Sequence, residues 1–300
     1  MDRTPADPAG TVRRVQTRRL GRTEHRSSLA ILGGAAFWDG SPDDVGRAFA
    51  AALDAGVNHL DVAPQYGRAQ ELLGPLVPPV RDRLFVACKT LRHDAGGVRA
   101  QLEESLTLLG CDYFDLYQLH AVTDLEELDA RADAVRTIVT ARDEGLCRFV
   151  GITGHELTTP LAQREALRRH DLDTVMFPVN PRLWADTEYR RHAEALLEEA
   201  AARDVGVMAI KAVAARPWGT RPHTTTTWYE AYTGDAEIDR NVRFVLSVSG
   251  VHAMCTPSDV TLAASAITAA ARFQAMDEPE RAGAMSATAR EAHIFPMPRG

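Results

Sequence analysis

The sequence predicts an α/β fold: a (β/α)8 TIM barrel with an N-terminal β-hairpin and a long loop after its seventh strand. Three observations carry this expectation. From residue 28 to about residue 275, strand-like apolar runs alternate eight times with helical patterns, each unit taking roughly 30 residues, the size of one βα repeat. Several of the strand runs, such as LFVAC and TVMFPV, are apolar almost without interruption, as expected for parallel strands buried on both faces. No G-x-G-x-x-G follows the first strand, which makes a doubly wound open sheet the weaker reading of the same alternation.

The elements follow in order. Residues 1–14 open with MDRTPADPAGT, rich in Pro, Gly and charge, and are expected to form a flexible arm before one domain over 15–300. Residues 15–28 read as two short strands around Leu20-Gly21-Arg22-Thr23. The first barrel strand lies within 28–38 and ends in Gly33-Gly34. Ser41-Pro42-Asp43-Asp44 starts a helix, with Ser as cap, Pro in the first turn and acids facing the helix dipole, and Gly56 stops it.

Strand–helix pairs are then expected at 59–63 and 68–77, 84–90 and 97–109, 113–120 and 125–144, 147–153 and 160–169, and 174–179 and 187–203. The seventh strand, 206–213, opens into a loop at 214–234 before a helix at 238–247, and a strand at 252–255 with a helix at 260–273 completes the set. A loop of that length inside a compact fold is more often functional than accidental. Over a barrel mouth its Trp218, Trp228, Tyr229 and Tyr232 would line a pocket, or else pack on the rim as surface residues.

Composition bounds the function. A hydrophobic fraction of 45% and a charged fraction of 25% are those of an ordinary soluble globular protein. A net charge of −7 argues against a nucleic-acid partner. Four scattered cysteines without a C-x-x-C pair form neither a zinc pattern nor a disulfide framework, and no run is long and apolar enough to span a membrane. A cytoplasmic location with no membrane association is the expectation.

Four polar residues stand at or just past the ends of three apolar runs: Asp61 and Tyr66, then Lys89, then His120. A lysine at the end of a buried run needs a carboxylate, and Asp61 supplies a candidate. A lysine beside a phenol would lower the phenol's pKa and ready it for proton transfer. Taken singly, Asp61 reads equally as a turn cap, Tyr66 as rim packing, Lys89 as a snorkelling side chain and His120 as a structural histidine.

With those residues the chain resembles the aldo-keto reductases over roughly residues 15–275. RRLGRTE resembles that family's opening hairpin, GVNHLDVAPQYGRAQELLG its signature around Asp and Tyr, LFVACKT the strand carrying its Lys, and YFDLYQLH the strand ending in its His. The resemblance implies reversible hydride transfer between NADP(H), with NAD(H) as the alternative, and an aldehyde, ketone or alcohol. It implies Tyr66 as proton donor, Lys89 as the group that lowers the Tyr66 pKa, Asp61 as the group that keeps Lys89 charged, and His120 as the hydrogen-bond donor that places the carbonyl.

It also implies cofactor contacts from Gly34, Thr153, His155, Asn180, Lys211, Thr256 and Ser258; Lys211, at the mouth end of the seventh strand, could reach a cofactor phosphate or the substrate, and Phe37, Trp38, Trp228 and Tyr229 suggest an aromatic-lined substrate pocket. His155 reads alternatively as a loop contact and Lys211 as a rim salt bridge. Departures are visible: Thr153-Gly154 replaces the family's frequent Ser-Asn, Met176 replaces a Gln, and the segment from Ala253 to Asp259 lacks the base that often binds a 2′-phosphate. Two other readings stay open. One is a cofactor-binding regulatory protein of the same fold with little turnover. The other is a metal-dependent hydrolase, although no H-x-H or H-E-x-x-H occurs and no metal is expected.

Overall fold

The computed structural model describes residues 13–295, so most of the expected N-terminal arm lies outside the described residues. A short antiparallel hairpin, β1 (Thr17–Arg19) and β2 (Arg26–Ser28), precedes eight parallel strands that close into a barrel. These are β3 (Ala30–Gly33), β4 (His59–Asp61), β5 (Phe85–Thr90), β6 (Phe114–Leu119), β7 (Cys147–Thr153), β8 (Thr174–Pro178), β9 (Gly206–Ile210) and, after a two-stranded ribbon of β10 (Ala214–Arg216) and β11 (Glu230–Ala231), β12 (Ala253–Cys255). The last pairs with the first, β12 with β3, so no barrel edge is left open.

The period of two along each strand decides what faces the barrel axis. Ile31, Phe85, Ala87, Leu116, Met176, Met208, Ile210 and Ala253 form the interior cluster, while Val86, Cys88, Tyr117, Leu119, Val175 and Phe177 face the helices. Continuing the same alternation upward puts Asp61, Lys89, Gln118 and Cys255 inward at the C-terminal end. The barrel is therefore a filled core whose top layer is polar.

The hairpin plugs the opposite end. Leu20 is fully buried in the interior cluster, and Gly21 sits at φ +49 against β9. A Cβ at Gly21 would lie 2.3 Å from the Gly206 backbone nitrogen. Gly21→Ala would combine a left-handed backbone with a clash that only a shift of the plug relieves. The expected loss is about 2 kcal/mol or more, read as a lower urea midpoint at unchanged slope. An unchanged midpoint would mean that the plug is loosely seated.

Helix α1 (Pro42–Asp54) starts as expected, with Ser41 Oγ accepting the Asp44 amide at 3.1 Å. The single helix expected at 125–144 is two, α2 (Leu125–Ala130) and α3 (Ala132–Asp143). The break is at Arg131, whose buried guanidinium donates to Glu127 at 2.7 Å and to the Thr90 carbonyl at 3.4 Å. The helix expected at 68–77 stops at Leu73, and a 3₁₀ segment, Pro78–Arg83, takes over where consecutive prolines remove backbone donors.

Two helices were not expected. One turn, Pro181–Ala185, forms because Asn180 caps it and Pro181 opens it; Glu278–Thr288 has a full capping box from Asp277 and Glu280. The loop at 214–234 is also not structureless, since it contains the β10–β11 ribbon.

Candidate active site at the barrel mouth

Strand register brings Asp61, Lys89 and His120 to one side of the mouth, and the turn after β4 swings Tyr66 over them. Lys89 Nζ donates to Asp61 Oδ2 in a close ion pair and to the Tyr66 hydroxyl at 3.3 Å. Lys89 is 1% exposed and Asp61 2%. Burial opposes the Lys89 ammonium, but Asp61 and Tyr66 outweigh it and hold its pKa above the ordinary lysine value. Burial raises the Asp61 carboxyl, opposed by Lys89 and Gln118.

Burial outweighs the expected lowering of the Tyr66 pKa by Lys89. Burial pushes the phenol up to about 12, and the pull of Lys89 only limits that rise. His120 packs edge-on to the Tyr66 ring at 5.9 Å, and burial together with Lys89, Lys211 and Arg131 keeps its imidazole well below the usual range, hence neutral. Its Nδ1 lies 3.3 Å from Gln65 Oε1 and its Nε2 lies 3.4 Å from His155 Nε2.

Sequence reasoning did not single out Gln65 or Gln118. Gln118 Nε2 donates to Asp61 Oδ1 at 3.2 Å, so the carboxylate is held from both sides. Its position two residues before His120, hence on the same face, was the available signal. Cys255 closes the ring from β12, with its thiol 3.9 Å from Asp61 Oδ2.

The expected cofactor residues divide. Thr153 Oγ accepts the Ala121 amide at 3.3 Å and faces the mouth beside Gly154. His155 reaches His120 through Nε2, while its buried Nδ1 has no partner among the described residues. Asn180 is spent on the fold: Oδ1 caps the short helix at Leu183, and Nδ2 donates to the Lys211 carbonyl at 3.2 Å. Thr256 Oγ accepts the Gly33 amide at 2.9 Å, and Gly34 is packed against Val62.

The helix that follows β12, Val260–Ala271, is capped by its own Asp259, which accepts the Thr261 and Leu262 amides at 3.0 and 3.1 Å. The Ser258 carbonyl accepts from Thr226 Oγ at 2.7 Å, which straps the long loop across to β12.

The aromatic residues divide as well. Trp228 and Tyr229 hang from the loop over the mouth, Trp228 lying 6.3 Å edge-on from His155. Phe37 does not line the mouth: it is 1% exposed in the layer between strands and helices, turned there by the 3₁₀ segment Gly34–Phe37. Trp38 is half-exposed and covers Gly67 on the rim beside Tyr66. Trp218 stacks on His223 at 4.4 Å within the loop.

Residues 30–270 match the model of the aldo/keto reductase family. An aldo-keto reductase of Mycobacterium sp. (strain JLS) is 32% identical over 127 residues, 41% of this chain and 45% of that protein. The methylglyoxal reductase DkgA of Salmonella typhimurium is 29% identical over 127 residues, with the same two shares. The matches thus span about half the length of the curated relatives. The holo form of the aldo-keto reductase AKR11C1 from Bacillus halodurans has a TM-score of 0.70 at 17% identity, covering 91% of this chain and 96% of that one, a likeness of fold.

Proposed function

The chain belongs to the aldo/keto reductase family, and from that premise we propose that it is an oxidoreductase reducing small aldehydes or ketones to alcohols with NAD(P)H. The observation that carries this reading is the Lys89 ammonium held between the Asp61 carboxylate and the Tyr66 hydroxyl. A reduced nicotinamide bound at the mouth would supply the hydride. Tyr66 then gives its proton to the oxygen that becomes the alcohol. Even raised to about 12, a phenol remains a stronger acid than an alcohol, so the transfer runs downhill. The phenolate left behind sits against the Lys89 ammonium, which is where stabilisation is needed. Neutral His120 orients the carbonyl.

The mouth fits the nicotinamide end of such a cofactor through Thr153 and the unpartnered His155 Nδ1. It fits a 2′-phosphate less well, since Asp259 lies where a base would serve. NADPH remains the expected form and NADH the alternative. The enzyme is proposed to act in the cytoplasm on free small molecules; among the described residues no helix is long and apolar enough to cross a membrane.

Fluorescence titration with NADPH and NADH, followed by turnover on an aldehyde panel, tests the reading. Binding of at least one dinucleotide with reduction of an aldehyde is expected. Failure to bind either sinks it. Binding without turnover would favour the regulatory reading, which the altered carboxamide contacts, Thr153-Gly154 and Met176, keep open.

A further inference from the structure

The chain contains 34 basic residues, of which 32 are arginines and only Lys89 and Lys211 are lysines. Both lysines lie buried at the barrel mouth. Arginine keeps its charge and forks between acceptors, whereas lysine offers one compact ammonium on a flexible stem. Lys89 is accounted for by Asp61 and Tyr66. Lys211 is not. It is 7% exposed, and among the described residues its Nζ has no carboxylate within 4.0 Å and no hydrogen-bond acceptor. Nζ lies 3.8 Å from the Trp228 ring centroid and 5.6 Å from that of Tyr229. The loop arginines beside it, Arg216 and Arg221, are both paired with Glu230.

The backbone at Lys211 is strained to hold this position. Its φ is +68, in the left-handed region, and two donors fix its carbonyl: Ala214 N at 3.1 Å and Asn180 Nδ2 at 3.2 Å. Strain of that kind in a lysine persists only where the surroundings over-determine it. From Lys211 a chain of packed rings leads to the reaction centre. Nζ lies on Trp228, His155 packs edge-on to Trp228 at 6.3 Å, and His155 packs edge-on to His120 at 5.5 Å. The Lys211 charge acts on His120 across that chain, so both groups face one mouth, where a ligand can set a carbonyl at Tyr66 and His120 and an anionic group toward Lys211.

Resting on the reductase reading above, we propose that Lys211 is the anion subsite of the mouth and that the preferred substrates are short oxo acids, carbonyl compounds that carry a carboxylate. The aromatic surface supplied by Trp228 would hold the ammonium until that carboxylate arrives. The neighbours set a pH dependence. Burial, together with Lys89, lowers the Lys211 pKa to about 7, against the opposing pull of Cys255 from β12 and Glu156 from the β7 exit. Burial raises the Glu156 carboxyl against the pull of Lys211, and His155 and His120 are neutral. Only the ammonium attracts the carboxylate, so affinity for an oxo acid is full below pH 7. It should weaken by up to about tenfold per unit above that, while an uncharged aldehyde escapes this effect.

The experiment compares 4-oxobutanoate with butanal, NADPH as donor, in the wild-type protein from pH 6 to 9 and in Lys211→Met at pH 6.5. A kcat/KM at least tenfold higher for 4-oxobutanoate at pH 6.5, a KM for it alone that climbs above pH 7, and a ratio falling toward one in Lys211→Met are expected. Equal kcat/KM values for the two compounds in the wild-type protein would overturn the subsite and leave the reductase reading standing. So would a Lys211→Met variant that keeps the preference. A variant that loses NADPH affinity but keeps the preference assigns the ammonium to a cofactor phosphate, and likewise overturns it. Absence of reduction of either compound, or of any other aldehyde, would instead overturn the reductase reading. If Lys211→Met fails to fold, the wild-type pH series decides alone.

Discussion

Tyr66→Phe should lower kcat for aldehyde reduction by about 10²–10⁴-fold, the usual contribution of a positioned proton donor, while NADPH binding stays within about threefold of the wild-type value. The phenylalanine keeps the ring and its edge contact with His120 at 5.9 Å. It removes only the hydroxyl that Lys89 touches at 3.3 Å. Lys89 retains Asp61, so the buried charge pair survives and the fold should not suffer. The pH profile sharpens the test. If Tyr66 is the acid, the residual rate of the variant should depend on a donor other than this phenol, so any basic limb of the wild-type profile should disappear. Turnover within about threefold of wild type would mean that this hydroxyl is not the donor, and the regulatory reading would gain.

The barrel was legible because its signals repeat. Eight apolar runs at near-constant spacing leave few architectures open, and the strand ends then place Asp61, Lys89 and His120 together without knowledge of any side-chain contact. What escaped depends on who reaches a group first. Asn180 looked free for a ligand in the sequence, but it caps the helix that follows it, a local bond that forms whenever the chain turns there. Phe37 looked like a pocket residue because it follows a strand. One 3₁₀ turn was enough to send it into the core.

The net Tyr66 pKa was not legible for a related reason. Proximity to Lys89 can be inferred from order in the chain, but the burial that outweighs it comes from the whole mouth. The two unsuspected glutamines and the scarcity of lysine were both on the page. Gln118 shares a strand face with His120, and a chain with 32 arginines that keeps two lysines keeps them for the chemistry of an amine.

Lys89→Met should be among the most damaging substitutions in the chain, and for two separable reasons. Asp61 would be left 2% exposed with Gln118 as its main remaining hydrogen-bond partner, a buried carboxylate without its cation. Breaking a buried pair in this way costs roughly 3–5 kcal/mol, visible as a large fall in urea midpoint. The pH dependence should identify the cause. In the variant the Asp61 carboxyl would titrate above its unfolded value, so the folded state binds the extra proton. Stability would be fully present below the unfolded pKa and would fall as pH rises through the folded one, which makes the variant recover in acid. Adding Asp61→Asn removes the orphaned charge at neutral pH. The double variant should regain most of the lost stability and lose its acid recovery, yet remain about as inactive as Lys89→Met, because no ammonium faces the Tyr66 phenolate. A double variant as unstable as the single one would show that the pair is not what destabilises it. One that regains turnover would show that Tyr66 needs no cation beside it, and the proposed proton donor would then have to work at the pKa its burial alone imposes.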